Sequence, residues 1–231
     1  MPPARRDDCP WCGSKHLRAR TGTVDECRDC AHVFRNPQRA VEERLLEEHV
    51  RPCSGTRRQH RRTALAMLRL RPEPENWLDV GTGDAGFPET AREFFPYTSF
   101  DGLDPTARVM RARRADRIEE AYVGNLPDPA ITTLLRARYD VISLLNHLHH
   151  TADPRKELDA ALTLLRHGGH LVIEAPDPQS AFATLLGRQW RPQTHPGHTH
   201  LIPLANLHTE LESRGCTIIS KDRRRIIARK S

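Results

Sequence analysis

The sequence contains no long apolar segment and few aromatic residues. None of its hydrophobic runs approaches the roughly 18 residues that a helix needs to cross a bilayer, and aromatic side chains make up 5% of the 231 residues. The first residues, MPPARRDDCPWC, lack the apolar core of a secretory signal. We therefore expect no membrane association and a cytoplasmic location. Hydrophobic residues, at 37%, still suffice for a packed core.

Lysine is also scarce, although the chain is basic. Four lysines stand beside 32 arginines, and the formal net charge is +6. The arginines cluster at 57–62, 111–117 and 223–225. Such clusters are typical of solvated helix faces, or of a surface that binds phosphate or nucleic acid. Nucleic acid therefore stays open as a partner, although the shortage of aromatic residues leaves few platforms on which single-stranded bases stack.

Four of the six cysteines form two CxxC pairs, Cys9 with Cys12 and Cys27 with Cys30. Two thiols at this spacing converge on one ion from a tight turn, and two such turns complete a tetrahedral shell of sulfurs that suits Zn²⁺. An all-cysteine shell is closed, so we expect a structural rather than a catalytic zinc. The sequence predicts a zinc ribbon over residues 1–37, with a hairpin at 17–26 and a strand within 31–37.

The rest of the chain divides at a Glu/Pro stretch that ends at Pro74. Residues 38–74 read as a helical connector or lid, with an apolar pattern broken near Pro52. From residue 75 to 231, short apolar runs alternate with helical segments, which predicts an α/β fold with a doubly wound sheet. The predicted strands are 77–80, 100–104, 122–123, 139–145 and 171–175, followed by an antiparallel pair at 216–219 and 225–228. The predicted helices are 88–95, 106–120, 154–166 and 204–214, with Gly168 and Gly169 expected to end the third.

A glycine-rich turn follows the first predicted strand and points to a nucleotide-like ligand. Gly81 and Gly83 allow close approach of the backbone, and Asp79 precedes them. Asp104 ends the second strand, where a carboxylate can accept hydrogen bonds from both ribose hydroxyls of a nucleoside. The alternative for Asp104 is an N-cap before Pro105. A glycine-rich turn by itself is also compatible with a dinucleotide-binding fold.

Six segments in the same order resemble a known family. They read CPWCGS…ECRDCAHVFRNP, WLDVGTGDAGF, FDGLDP, YDVISLLNHLHHTADP, RHGGHLVIEAPDP and HTHLIPLANLHTELESRGC. Together they resemble class I (Rossmann-like) S-adenosylmethionine-dependent methyltransferases that carry an N-terminal zinc ribbon. Ala85 stands where the family usually has a third glycine, Asn125 where it often has an acid, and His149 where it has a glutamate.

The resemblance implies roles for individual residues. S-adenosylmethionine, with S-adenosylhomocysteine as its product, would be held by the following set: Asp79, Gly81, Gly83, Asp104, Pro105, Asn125, Leu126 and Asn146. His149, His150 and His198 are the candidate catalytic residues, and we expect one of them to act as the general base or to orient the acceptor. A merely structural or solvated role is the alternative for each. A second metal site among the histidines is a lesser alternative, because no acidic pattern accompanies them.

The function implied is methyl transfer to an oxygen or nitrogen, with carbon a less favoured choice, of a small-molecule acceptor in specialised-metabolite biosynthesis. The long segment 176–203 after the fifth strand is expected to cover such an acceptor. One alternative is an RNA methyltransferase, which the arginine clusters favour. Another is a non-catalytic zinc-ribbon binding protein whose cofactor site has decayed. The sequence gives no oligomeric state.

Overall fold

The computed structural model describes residues 4–37, 56–195 and 197–231, which form two sheets and the helices that cover them. The strands are β1 (Leu17–Thr21), β2 (Val24–Cys27), β3 (Val33–Arg35), β4 (Asn76–Val80), β5 (Ser99–Asp104), β6 (Ala121–Val123), β7 (Tyr139–Leu145), β8 (Leu165–Glu174), β9 (His200–Leu201), β10 (Cys216–Lys221) and β11 (Arg225–Lys230). The helices are α1 (Arg57–Leu68), α2 (Gly86–Ala91), α3 (Arg108–Arg114), α4 (Pro129–Leu134), α5 (Pro154–Leu164), α6 (Ala181–Leu186), α7 (Arg191–Thr194) and α8 (Leu204–Ser213).

The main sheet has seven strands in the order β10-β11-β8-β7-β4-β5-β6. Strands β4 to β8 are parallel, whereas β11 runs antiparallel to β8 and β10 antiparallel to β11. The predicted α/β fold with a closing antiparallel pair is therefore confirmed. Because the strand order reverses between β4 and β7, their carboxyl ends flank the crevice where open α/β sheets bind ligands.

Successive side chains of the central strands point to opposite faces of this sheet and form a hydrophobic core on each face. On β7, Ile142 packs with Leu158 of α5 and Leu207 of α8, whereas its neighbour Val141 joins the cluster on the opposite face. That second cluster contains Trp77 of β4 and Met67 of α1. Burial on both faces explains why the strand YDVISLL is a nearly continuous apolar run.

Two predicted helix boundaries in this region are wrong. Helix α5 ends at Leu164, and Gly168 and Gly169 lie inside β8 rather than capping the helix. Gly168 has φ +75°, and a Cβ on Gly169 would lie 3.1 Å from the carbonyl oxygen of Asp140 on β7. Gly168 therefore provides the left-handed conformation, and Gly169 the close approach of β8 to β7. The second predicted helix is also shorter than 106–120, since α3 covers only Arg108–Arg114.

The small sheet has four strands in the order β1-β2-β3-β9. The hairpin predicted at 17–26 and the strand predicted within 31–37 are both present. Strand β9 was not predicted, because it comes from the segment after β8 and pairs antiparallel with β3. Trp11 and Phe34 belong to the same hydrophobic cluster as α5 and α8, so this sheet packs on one face of the main domain.

Part of the predicted connector lies outside the described residues. Residues 38–55 are among those that the structure does not describe, and helix α1 follows them at Arg57–Leu68. Within residues 4–37, 56–195 and 197–231, no helix is both long and apolar enough to cross a bilayer.

Candidate active site

The glycine-rich turn after β4 bends over the end of β5. Gly81 has φ +69° and Gly83 has φ +54°, both in the left-handed region that favours glycine. The amide nitrogen of Gly81 donates to the carbonyl oxygen of Leu103 on β5 at 2.8 Å, which fixes the bend. Ala85 adopts φ +58°, so an alanine here takes the conformation for which glycine is better suited, at a cost of about 1–2 kcal/mol.

Asp104 lies at the centre of this bend, with only 7% of its surface exposed. Its Oδ2 accepts from the amide nitrogen of Gly83 at 2.9 Å, and its Oδ1 accepts from the amide nitrogen of Thr106 at 2.9 Å and from Thr106 Oγ1 at 2.5 Å. Helix α3 begins at Arg108 with Ala107 as its N-cap, so the N-cap alternative for Asp104 is wrong. A carboxylate has about four acceptor directions. Accepting two further hydroxyls therefore requires Asp104 to release one of its present donors.

Asp79 is held beneath the turn by a chain of hydrogen bonds. Trp77 Nε1 donates to Ser143 Oγ at 3.0 Å, and Ser143 Oγ donates to Asp79 Oδ1 at 2.5 Å. Burial raises the pKa of Asp79 to about 6, although the hydrogen bond from Ser143 opposes the rise. Asp79 is therefore a buried anchor for the turn, supported from the neighbouring strand β7.

His147, which was not predicted as a site residue, lies directly against the turn. A Cβ on Gly81 would stand 2.7 Å from His147 Nδ1. The opposite nitrogen, Nε2, lies 3.0 Å from Glu157 Oε2. Burial alone would lower the pKa of His147, but the Glu157 carboxylate outweighs it and the pKa is raised. Only the sequence NHLHH hinted at this residue, since it follows β7 directly.

Arg108 lies against Gly83, as His147 lies against Gly81. Its guanidinium lies 3.2 Å from where a Cβ on Gly83 would be, and it pairs with Asp84 at 2.6 Å. His147 and Arg108 thus cover the two glycines of the bend. A ligand that approaches the backbone there must share the space with both side chains.

The other predicted cofactor residues are spread over neighbouring loops. Pro105 continues from Asp104, and Asn125 is exposed in the loop after β6. Leu126 is buried in the main core. Asn146 follows β7 with φ +54°, and its Oδ1 accepts from Arg224 at 3.4 Å. The structure therefore brings Asp79, Gly81, Gly83 and Asp104 together and places the Asn146 side chain beside the β10–β11 turn.

The three predicted catalytic histidines form one cluster. His149 and His150 follow β7, and His198 lies just before β9. One ring nitrogen from each lies within 4.8 Å of the other two. The ring of His195 stands 4.4 Å from that of His198, centroid to centroid, and borders the cluster.

Backbone hydrogen bonds hold the two histidine-bearing loops together. Thr199 N donates to the carbonyl oxygen of His149 at 2.8 Å, and Thr199 Oγ1 donates to that of Thr151 at 2.8 Å. Arg35 of β3 donates to the carbonyl oxygens of His198 at 3.1 Å and His195 at 3.0 Å. The small sheet thus positions one side of the histidine cluster.

Burial keeps these imidazoles neutral. It lowers the pKa of His149 well below its usual value, with further lowering from the neighbouring histidines. Burial lowers the pKa of His150 to about 4, and burial together with His150 lowers that of His198 to about 3. Each ring therefore offers a nitrogen lone pair near neutral pH, which is what a base or a metal ligand needs.

The four predicted zinc ligands also converge. The Sγ atoms of Cys9 and Cys30 are 3.7 Å apart, and those of Cys12 and Cys27 are 3.5 Å apart. Zn–S bonds of about 2.3 Å in a tetrahedron place sulfurs about 3.8 Å apart, so the spacing fits Zn²⁺. The hydrogen bond from Cys30, together with those from His32 and the backbone, lowers the pKa of Cys9 to about 3, which favours a thiolate. Cys216 is buried outside the cluster, and Cys53 lies outside the described residues.

The arginine clusters face acidic side chains. Arg57 and Arg61 both pair with Glu93. Arg111 pairs with Asp84 and Arg225 with Asp222. Part of the charge of these clusters is thus balanced locally, as is typical of a solvated face.

The strand order and the site at the carboxyl ends of β4, β5 and β7 define a Rossmann-like methyltransferase fold. Residues 54–221 match the family model described as "Methyltransferase domain". The chain therefore belongs to this methyltransferase family. This confirms the expectation of a class I methyltransferase.

Curated relatives and solved structures agree with this assignment. The chain is 26% identical over 126 residues to the ubiquinone biosynthesis O-methyltransferase of Alkalilimnicola ehrlichii, covering 53% of this chain and 51% of that protein. It therefore spans about half the length of this relative. It is similar in fold to 1,6-didemethyltoxoflavin-N1-methyltransferase of Burkholderia thailandensis, a structure with bound S-adenosylhomocysteine, with TM-score 0.63, 16% identity, and coverage of 94% of this chain and 99% of that chain. It is also similar to an O-methyltransferase family protein of the same species, with TM-score 0.58, 17% identity, and coverage of 80% and 63%.

Proposed function

We propose that the protein transfers a methyl group from S-adenosylmethionine to an oxygen or nitrogen of a small-molecule acceptor in a biosynthetic reaction. The observation that carries this proposal is the position of Asp104 beside the left-handed glycine bend, with the histidine cluster after the adjoining strand β7. The names of the relatives, which act on oxygen or nitrogen of small molecules, support the acceptor class.

The bend offers the groups that the cofactor needs, once Asp104 releases one of its present donors and the side chains of His147 and Arg108 move off the two glycines. The Asp104 carboxylate would accept hydrogen bonds from the ribose hydroxyls, and the backbone of Gly81 and Gly83 would lie against the amino-acid portion. When bound, the cofactor supplies a methyl sulfonium that is already a strong electrophile. The protein's own contribution is then to hold the acceptor in line with the methyl group and to exclude water, which can supply about 7–11 kcal/mol of the barrier.

The histidine cluster is suited to activating or orienting the methyl acceptor. Its neutral nitrogens can accept a proton from an acceptor hydroxyl or amine, or can orient it, a contribution of about 10²–10⁴-fold. The four cysteines would hold a structural Zn²⁺ that fixes β3. Through Arg35, the zinc-ribbon module would then support the loop that carries His198.

Calorimetric titration with S-adenosylhomocysteine tests the cofactor site. We expect micromolar binding by the wild type and at least tenfold weaker binding by Asp104→Asn, because an amide accepts fewer hydrogen bonds than a carboxylate. The matched control is Asp159→Asn, which alters an exposed ion pair with Arg214 away from the bend. Undetectable binding by the wild type would refute the proposed function and favour a decayed cofactor site.

A further inference from the structure

The histidine cluster has a second property that a general base does not require. Its three rings converge from two loops, and one nitrogen of each faces the other two within 4.8 Å. A single base needs one such nitrogen. Buried ring nitrogens held this close together are satisfied only when a proton or a cation lies between them.

Backbone carbonyls set the tautomers of two of the rings. His150 Nδ1 lies 2.9 Å from the carbonyl oxygen of Gly197, and His198 Nδ1 lies 2.8 Å from that of Pro192. A carbonyl oxygen only accepts, so both Nδ1 atoms carry the proton and both Nε2 atoms carry a lone pair. Metal-binding histidines typically donate the other ring N–H to a carbonyl or carboxylate in this way.

Two nitrogens of the cluster remain unpartnered. Among residues 4–37, 56–195 and 197–231, His149 Nδ1 and His150 Nε2 are buried without a hydrogen-bond partner. His149 is 3% exposed. A buried polar atom without a partner is costly, and such atoms indicate an ion or ligand that completes the site.

We propose that His149, His150 and His198 form a second metal site, which binds Zn²⁺ or a similar divalent transition metal and leaves a coordination position open. Three neutral imidazoles suit zinc, cobalt, nickel or copper rather than the oxygen-preferring Mg²⁺. Three protein ligands with one open position are typical of catalytic zinc sites, in contrast to the closed four-cysteine cluster.

The site would also specify the acceptor, and this part rests on the proposed function. With all three histidine nitrogens bound to the metal, none of them would act as a free base; instead, a hydroxyl bound in the open position would have its pKa lowered by the metal and would release its proton to water before methyl transfer. The inferred acceptor therefore carries a hydroxyl group. The metal site itself can be tested without any methyl transfer.

Cobalt titration of the metal-stripped full chain, without a polyhistidine tag, provides the test. We expect Co²⁺ to bind in two classes: one with intense thiolate-to-cobalt charge-transfer absorption from the cysteines, and one with only ligand-field bands from nitrogen ligands. His198→Ala and His150→Ala should each lose the nitrogen class and keep the thiolate class. His208→Ala, which alters a histidine of α8 that pairs with Glu212, should keep both.

The outcomes separate the two proposals. If the wild type binds cobalt only with thiolate ligation, or if His198→Ala retains the nitrogen class, the metal site is refuted. If a histidine variant misfolds and therefore loses S-adenosylhomocysteine binding, the cobalt spectrum of the wild type still decides whether the metal site exists. Metal binding without S-adenosylhomocysteine binding would refute the proposed methyl transfer and leave the metal site standing.

Discussion

The cysteine cluster and the histidine cluster show two different ways of bringing ligand atoms together. The four cysteines lie between residues 9 and 30, in two turns that each supply two sulfurs. The histidines come from loops 48 residues apart, His150 on one side and His198 on the other. A local turn specifies the first cluster. Long-range contacts of Thr199 and Arg35 assemble the second.

The two clusters are nevertheless connected. Strand β3 leaves the second cysteine turn, pairs with β9 directly after His198 and Thr199, and places Arg35 against the carbonyl oxygens of His195 and His198. His32 of this region also lies 3.2 Å from His200, between Nε2 and Nδ1. The cysteine cluster, which local sequence builds, is therefore linked through β3 to the histidine cluster, which local sequence alone does not build.

Removing one buried cysteine should have the largest effect. We expect Cys27→Ser to abolish zinc binding and to cost more than about 4 kcal/mol of unfolding free energy in the ribbon, because metal binding and folding are coupled in such modules. Zinc content and thermal unfolding measure this. Cys216→Ser, which alters a buried thiol outside the cluster, should retain zinc. Full zinc content in Cys27→Ser would contradict a four-sulfur site.

Replacing Arg35 should affect the histidine cluster and spare the cysteines. Arg35→Ala removes the two side-chain hydrogen bonds to the carbonyl oxygens of His195 and His198 but keeps the strand pairing, since the amide nitrogen of Arg35 still donates to the carbonyl oxygen of Thr199. Supporting contacts of this kind change metal affinity by about 10–100-fold. We expect that weakening for cobalt in the nitrogen class, with unchanged zinc content. Arg18→Ala, on exposed β1, is the control. An equal loss of cobalt affinity in Arg35→Ala and Arg18→Ala would contradict a positioning role for Arg35.

The sequence predicted those features that follow from local patterns. The CxxC spacing identified the sulfur cluster, and the apolar runs identified the strands of the main sheet because burial on both faces leaves a continuous signal. The glycine bend and Asp104 were found together because each follows a strand. The family resemblance named His149, His150 and His198, which the structure brings into one cluster, and their catalytic role stays a prediction.

What the sequence missed depends on packing between distant segments. Strand β9 has only two residues, His200 and Leu201, so its pairing with β3 has no detectable period. Gly168 and Gly169 resembled a helix end, whereas Gly168 takes a positive φ within β8 and Gly169 lies close to β7. His147 was passed over because its role depends on Glu157 of α5 and on the space above Gly81.

The smallest expected effect tests whether the cysteine cluster depends on the main domain. Asn206 of α8 donates through Nδ2 to the carbonyl oxygen of Cys30 at 2.8 Å. Asn206→Ala removes one partly buried hydrogen bond, and we expect a loss of about 1 kcal/mol of unfolding free energy with faster release of zinc to a chelator. Thr209→Ala, on an exposed position of the same helix, should change neither, since its hydroxyl bonds only within the helix. Unchanged zinc release in Asn206→Ala would mean that this hydrogen bond does not contribute to holding the cysteine cluster, and the cysteine cluster would then be the more independent of the two.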